Sequence, residues 1–236
     1  MSAAPPPRYA WLLDAFGVAA WTFFIAVAIE RLGHEFTSAS RTALITLAVP
    51  LGYVLSDFAT GFAHWFCDTF FEEDTPVLGP LLIRSFREHH RDPLSITRHH
   101  FLELNGSNCV AVAPVGASLL AIDPAASDAW LFVYATLVSL CLGTVATNQF
   151  HRWAHEPSPN ALARFLQKCR LVLTPSHHAV HHAPPYARHY CVTNGWANVL
   201  MEKIRFWEAA ERVLVAAGVP KSAEGEAPAA SPDFAA

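Results

Sequence analysis

The chain has 236 residues, of which 53% are hydrophobic and only 15% are charged, and its formal net charge is −4. An average soluble domain carries roughly 25% charged residues, so this composition favours a protein whose apolar surface faces lipid. The acidic balance disfavours nucleic acid as a partner, because domains that bind nucleic acids normally carry a basic surface.

Four apolar segments follow one another along the chain, at about 10–29, 42–63, 108–122 and 129–147. A helix needs about 20 residues to cross the hydrocarbon core of a bilayer, and three of the segments qualify in length. The third segment is shorter and would also suit a re-entrant or buried helix. We expect an all-α, polytopic membrane protein with about four transmembrane helices.

The distribution of Lys and Arg predicts the orientation of these helices. The connection at 123–128 contains neither residue, whereas the loop at 64–107 is rich in Arg and most of the remaining basic residues follow position 150. Loops rich in Lys and Arg stay in the cytosol. Both termini and the 64–107 loop are therefore predicted on the cytosolic side.

The expected organisation is an N-terminal tail at 1–9, a membrane domain at 10–213 and a disordered C-terminal tail at 214–236. The last of these is rich in Ala, Pro, Glu and Ser, a composition typical of disorder. The five cysteines are scattered without a CxxC pair, so the sequence predicts neither a disulfide framework nor a thiolate metal site.

Thirteen histidines are present, and most of them lie at or just beyond a predicted membrane end. They cluster in REHHRD at 87–92, HRWAH at 151–155 and HHAVHH at 177–182, while His34 stands alone on the predicted opposite side. A single histidine pair is more often a surface or core feature than a ligand site. Several clusters on one membrane face favour metal binding, because neutral imidazole is the commonest metal-ligating side chain.

The spacing within the clusters places several side chains on common helix faces, because residues three or four apart are neighbours on a helix surface. Such spacings present several metal ligands at once. The expected pairs are His64 with Asp68, His151 with His155, His177 with His181, and His178 with both His181 and His182.

The type and number of ligands predict what the clusters bind. About eight well-placed histidines exceed the needs of one ion and suit two. Imidazole accepts Zn, Cu, Fe or Ni, but zinc has no redox chemistry and haem needs only one or two axial ligands. Two non-haem irons explain the surplus best. A histidine-rich cap at the bilayer surface would then oxidise a lipid chain, by desaturation or hydroxylation.

Two other classes of protein are weighed against this interpretation. A non-catalytic membrane carrier of metal or haem would need ionisable residues along its crossings, and only Asp14 and Asp57 lie in or near them. A zinc hydrolase would need a general-base glutamate beside its ligands, and Glu88 beside His89 is the obvious candidate. The sequence disfavours both classes.

Over about 52–207 the chain resembles the Kua/CarF-type lipid desaturases, through four segments that occur in the same order. These segments are SDFATGFAHWFCD, FREHHRDPLSITRHHFLELNGSN, NQFHRWAHE and TPSHHAVHHAPPYARHYCVTNGWAN. The resemblance implies a diiron centre, molecular oxygen as co-substrate, and electrons from a cytochrome b5-type or ferredoxin-like donor. It also implies that the substrate is a membrane ether phospholipid, in which the vinyl ether bond of plasmalogens is formed.

The family's histidine motif falls on eight positions of this chain, which the resemblance assigns as metal ligands. They are His64, His89, His90, His151, His155, His178, His181 and His182. Asp68 and Asp92 match as well, and each is a possible ligand or a residue that orients one, since metal-bound imidazoles usually donate their other N–H to a carboxylate or carbonyl. Asp92 would equally suit a turn before Pro93. Asp57, Asn105 and Asn194 match without an assigned role.

Two branches of the family differ in substrate. The pattern from Pro185-Tyr186 to Tyr190-Cys191 resembles the plastid branch, which forms a double bond in an acyl chain of phosphatidylglycerol. The longer segments FREHHRDP and ITRHHFLELNGSN resemble the plasmalogen branch. The vinyl ether reaction is therefore favoured, with acyl desaturation or lipid hydroxylation as alternatives. The histidines expected outside the ligand set are His99, His100, His177 and His189.

Overall fold

The structure is a computed structural model that describes residues 9–223. Its helices are α1 (Ala10–Gly33), α2 (Ala39–Thr69), α3 (Arg84–Arg91), α4 (Phe101–Ser118), α5 (Asp128–His155), α6 (Ala161–Lys168), α7 (Pro175–His181), α8 (Trp196–Lys203) and α9 (Phe206–Ala216). A π-helix at Gly79–Ile83 leads into α3, and a 3₁₀ helix at Ser95–Thr97 precedes α4. The described residues form no β-strand beyond an isolated bridge between Phe70 and Lys221, so the all-α prediction is confirmed.

Three helices, α1, α2 and α5, are long and apolar enough to cross a membrane, with mean hydropathies of 2.0, 1.5 and 1.9. They contain the first, second and fourth predicted segments. The third predicted segment begins within α4 and extends four residues beyond its end at Ser118; α4 has 18 residues and begins with the polar stretch FLELNGSN. A helix of this length spans roughly 27 Å, close to the hydrocarbon core of about 30 Å. A fourth crossing by α4 stays a prediction.

The long helices α1 and α4 pack side by side and run in the same direction. The backbone at Gly106 lies against Asp14, and the backbone at Gly116 lies against Phe24 further along both helices. At the far end Arg31 donates a hydrogen bond of 2.8 Å to the carbonyl oxygen of Leu119. The N-terminal ends of α1 and α4 therefore lie together.

The helices α2 and α5 also run in a common direction. At their N-terminal ends Arg41 donates a hydrogen bond of 3.1 Å to Asp128. Further along, the Ser139 hydroxyl donates to the carbonyl oxygen of Val49 at 2.6 Å. Because only residues 34–38 connect α1 to α2, these helices run in opposite directions. The C-terminal ends of α2 and α5 thus reach the end of the bundle where α1 and α4 begin.

Asp57, which matches the family without an assigned role, anchors the chain segment before α8. Its Oδ1 accepts hydrogen bonds from the backbone N–H groups of Thr193, Asn194 and Gly195 at 2.9, 3.1 and 3.1 Å. Its Oδ2 accepts another from Ala197 at 3.0 Å. The carboxylate is fully buried and satisfies four donors that would otherwise be unpaired. It joins the middle of α2 to the segment that follows the last histidine cluster.

Replacing Asp57 with alanine is expected to destabilise the fold strongly, because four buried N–H groups would lose a charged acceptor. The loss should be on the order of 3 kcal/mol or more, which corresponds to a fall of roughly 10 °C in the unfolding midpoint. Thermal unfolding of the purified protein in detergent measures it. The control is Asp123→Ala, which removes an exposed acceptor of one backbone N–H, that of Ala125. Equal midpoints for the two variants would contradict the role given to Asp57.

The C-terminal boundary differs from the prediction of a disordered tail at 214–236. α9 continues to Ala216, and Leu214 and Val219 pack against a cluster that includes Trp65 and Trp207. The Ser222 N–H then donates to the Thr69 carbonyl oxygen at 2.9 Å. The predicted boundary at 214 is therefore too early, because apolar contacts with α2 hold residues whose composition suggested disorder. Positions 224–236, and 1–8 of the predicted N-terminal tail, lie outside the described residues.

Candidate metal centre

Four helices bring all eight predicted histidines together at one end of the bundle. α2 contributes His64 near its C-terminus, and α5 contributes two histidines in its last turns. The short helices α3 and α7 pack across these ends and contribute the others. The side chains form two groups, in each of which one potential ligand atom per residue lies within 4.8 Å of the others.

The five-histidine group consists of His89, His151, His155, His178 and His182. The Nε2 atom of His178 lies 2.7 Å from that of His151 and 3.0 Å from that of His182. The Nε2 atom of His182 in turn lies 3.0 Å from that of His89. Two nitrogens bound at right angles to one ion at about 2.1 Å lie roughly 3.0 Å apart, so these separations suit a common metal ion.

The Asp68 group consists of His64, Asp68, His90 and His181. Asp68 Oδ2 lies 3.4, 3.7 and 3.6 Å from the Nε2 atoms of His64, His90 and His181. The Nε2 atoms of His90 and His181 are 2.9 Å apart. Three imidazole nitrogens and a carboxylate therefore converge on one point, which is a donor set suited to a divalent first-row metal.

Buried ligand atoms that make no hydrogen bond indicate whether a metal ion would fit between them. His64 Nε2, His155 Nε2 and both carboxylate oxygens of Asp68 are buried without a hydrogen-bond partner among the described residues. Burying an unpaired carboxylate is costly, so such groups are normally paired or coordinate metals. The orphaned atoms belong to both groups, and a metal ion in each would satisfy them.

Burial and neighbouring charges keep the imidazoles of the two groups in the neutral form, which is the form that binds metal. Burial, followed by repulsion from neighbouring imidazoles, lowers the pKa of His89 and His178 well below the usual 6.5. Burial likewise lowers the pKa of His181 and His182 to about 3. These rings are therefore neutral at physiological pH and can offer a lone pair.

Hydrogen bonds from the opposite ring nitrogens orient two of the imidazoles. His64 Nδ1 lies 3.1 Å from the carbonyl oxygen of Tyr190, and His181 Nδ1 lies 2.8 Å from that of Arg188. A ring that donates from Nδ1 presents its Nε2 lone pair to the group. Tyr186, which belongs to the pattern that resembles the plastid branch, stacks on the ring of His90 with centroids 4.9 Å apart.

The remaining predicted residues lie elsewhere. Asp92 caps the end of α3 and its exposed carboxylate pairs with Arg98, so the structure does not bring it to either group. His99 pairs with Glu103 at 2.9 Å. His100 is exposed at the start of α4. His99 and His100 therefore lie outside both groups, and their exclusion from the ligand set stays a prediction.

His177 does not share the site of His181, contrary to the expected pairing. Its Nε2 accepts a hydrogen bond from the Asn198 side-chain amide nitrogen at 2.9 Å, and its ring stacks on His189. Gly195, which has a φ of +80°, passes directly against the same ring, so a side chain there would clash with it. His177 therefore fixes the segment before α8.

His34, predicted on the opposite side, pairs with Glu30 at the other end of α1.

A cavity of about 230 Å³ opens beside both groups. It lies between α2, α4 and α5, and its wall includes one member of each group, His64 and His151. Away from these residues the wall is mainly apolar, with Val112, Val115 and Leu140 lining its deeper part. Sequence patterns did not single out this cavity, because its wall draws single positions from separate helices.

A bundle of long apolar helices, two histidine-rich ligand groups at one end and an apolar cavity beside them define a membrane metalloprotein that acts on hydrophobic molecules. The family model described as the lipid desaturase domain matches residues 53–223. The chain belongs to this family of integral membrane oxidoreductases, which confirms the resemblance seen in its histidine motifs. No solved structure gives a significant match.

Curated relatives span most of this chain. The plasmanylethanolamine desaturase of Myxococcus xanthus is 41% identical over 207 residues, which are 87% of this chain and 73% of the relative. Plasmanylethanolamine desaturase 1 of Mus musculus is 35% identical, over 74% of this chain and 66% of the relative. The chloroplastic fatty acid desaturase 4 of Arabidopsis thaliana is 36% identical, over 71% of this chain and 51% of the relative.

Proposed function

We propose that this protein is a diiron, oxygen-dependent desaturase that introduces the vinyl ether double bond of plasmalogens into an ether phospholipid. The observation that carries the proposal is the pair of buried ligand groups beside one apolar cavity. The two relatives named plasmanylethanolamine desaturase, at 41% and 35% identity, support the choice of substrate.

One iron would be held by the five-histidine group and the other by the Asp68 group. When bound, the two irons supply the oxidising power that removes hydrogen from an unactivated chain. The overall reaction takes two hydrogens from neighbouring carbons and two electrons from an external donor, and it reduces one oxygen molecule to two waters with two further protons. We expect a cytochrome b5-type or ferredoxin-like donor, on the cytosolic side with the cap.

The cavity supports lateral entry of the lipid chain. Ala59 and Ala63 on α2 and Ala111 on α4 line it while remaining exposed at the protein surface. α2 and α4 each pack on α5, and the cavity lies where they face one another. A chain that enters between them would bring its carbons beside His64 and His151, and the apolar wall would exclude water from the reacting bond.

Filling this opening should block the substrate without disturbing the metals. Ala111→Phe is expected to reduce activity by at least about tenfold, the scale on which pocket shape discriminates substrates. Iron content should be unchanged, because Ala111 belongs to neither ligand group. The control is Ala117→Phe, which adds the same bulk to an exposed position of α4 in a different groove. Full activity in the Ala111 variant would contradict lateral entry at this point.

Acyl desaturation of phosphatidylglycerol is the second candidate, because the plant relative named fatty acid desaturase 4 is 36% identical. Lipids of a host that makes alkyl-ether phospholipids, with and without this gene, separate the two reactions. Acid cleaves vinyl ethers, so fatty aldehyde released only when the gene is present supports the proposal. A new double bond in an ester-linked chain without aldehyde would assign the acyl reaction instead, and a gain of oxygen would assign hydroxylation.

A further inference from the structure

Two short helices outside the candidate membrane spans, α6 and α8, expose large apolar side chains. On α6, Leu162 is 59% exposed and Phe165 is 60% exposed. On α8, Val199 is 73% exposed and Leu200 is 55% exposed. Several large apolar side chains exposed on neighbouring elements normally mark a contact with another protein or with a membrane.

The charges that accompany this apolar surface are mainly positive. α6 and the residues directly after it contain Arg164, Lys168 and Arg170, all exposed, and no acidic residue. α8 ends with the exposed Lys203. Its single acidic residue, Glu202, is engaged by Arg188 at 2.7 Å. Apolar side chains accompanied by Lys and Arg are typical of helices that lie in a membrane interface.

Contacts with α2 fix the depth of this surface. The Tyr53 hydroxyl donates a hydrogen bond of 2.6 Å to the carbonyl oxygen of Leu171, and Trp196 Nε1 donates one of 2.9 Å to that of Arg170. Tyr53 follows Ala39, the first residue of α2, by 14 positions, which is roughly 21 Å of helix. The hydrocarbon core is about 30 Å thick, so α6 and α8 meet α2 at a level that lipid still surrounds.

We propose that α6, residues 169–171 and α8 form an interfacial platform at the boundary between the acyl chains and the headgroups of the bilayer that the long helices cross. The apolar side chains point into the upper acyl region, and the basic side chains contact lipid phosphates. Leu51 and Leu55, two residues before and after Tyr53 on α2, are also exposed, as expected of a helix that contacts lipid. The proposal concerns the lipid surface and does not depend on which lipid is the substrate.

The platform would hold the cavity wall at the level of this boundary. α8 begins directly after the segment that Asp57 anchors, and that segment follows Val192, a residue of the cavity wall. A cap fixed by lipid at this height keeps the opening between α2 and α4 beside the first carbons of the membrane chains.

Site-directed fluorescence in vesicles tests the proposal with the full-length chain. In a Cys169→Ser background, which removes the exposed native cysteine, a nitrobenzoxadiazole label is attached at Val199→Cys or Phe165→Cys. The vesicles contain phosphatidylcholine with a nitroxide on acyl carbon 5. The matched control is Ala187→Cys, an exposed position in the loop above the histidine groups.

At positions 199 and 165 we expect several-fold stronger quenching by the nitroxide lipid than at position 187, and the reverse order with aqueous iodide. Equal iodide quenching at all three positions would overturn the proposal, because the platform would then face water. Protection from both quenchers at 199 and 165 would overturn it too, because protein rather than lipid would cover the surface. Neither readout requires a known substrate, so failure here is distinguishable from failure of the proposed reaction.

Discussion

Replacing His178 with alanine is expected to abolish the desaturated product while the protein remains in the membrane. His178 Nε2 is within 3.0 Å of two other ligand atoms of the five-histidine group, so its removal opens the centre of that group. Mutating a residue that only orients a metal ligand already lowers metal affinity or activity by about 10- to 100-fold. The loss of activity for the His178 variant should therefore be at least about 100-fold. Product formed per amount of membrane-inserted protein measures it.

The control for this variant is His100→Ala. His100 belongs to the same histidine-rich sequence but is exposed at the start of α4, outside both groups. It should keep wild-type activity and wild-type iron. Retained activity in the His178 variant would remove the five-histidine group from the reaction.

Replacing Asp68 with asparagine is expected to have an effect of similar size through the other group. The substitution keeps the size of the side chain but removes the one carboxylate that the described part of the chain brings to the three nitrogens of the Asp68 group. Activity should fall by at least about 100-fold. Iron should fall from two ions to one per chain, because the five-histidine group is untouched. Elemental analysis of the purified variant and of the wild-type protein measures the two iron contents, and product formed per amount of protein measures the activity.

Asp92→Asn is the matched control for Asp68. Asp92 carries the same functional group near the same cluster in sequence, but its carboxylate pairs with Arg98 at the surface. Iron content and activity should both be kept in this variant. If the Asp68 variant kept two irons, Asp68 would not be a ligand, and the carboxylate would need another explanation for its burial.

The sequence predicted which histidines would meet because spacing and membrane ends constrain them together. His151 and His155 are four residues apart on α5 and do fall in one group, as His64 and Asp68 do on α2. The clusters meet because each follows or precedes a long apolar helix that ends at the same side. Helical periodicity and hydropathy are both visible in a single chain, so this part of the site could be predicted.

The sequence predicted two metal ions but not which histidine belongs to which group, although the adjacent histidines contain that signal. His89 and His90 belong to different groups, and so do His181 and His182. Successive residues of a helix point about 100° apart, so a neighbouring pair can serve two ions that lie on either side of the helix. The predicted pairing of His178 with both later histidines missed this, since only His182 shares its group.

Long-range contacts account for what the sequence did not predict. Asp57 matched the family without an assigned role, and only the fold shows that it accepts hydrogen bonds from four backbone N–H groups more than 130 positions away. Asp92 was equally compatible with a ligand and with a turn, and its pairing with Arg98 decided between them. The predicted start of the tail at 214 was too early for the same reason, because composition does not reveal that Val219 packs against the cluster that contains Trp65 of α2 and Trp207 of α9.

The metal content of the purified wild-type protein shows whether both ligand groups hold iron. We predict two iron ions per chain, one for each ligand group, and a parallel loss of iron and desaturase activity when a chelator removes them. One iron per chain in fully active protein would contradict the two-group assignment. Full activity with zinc in place of iron would contradict the oxidative chemistry itself.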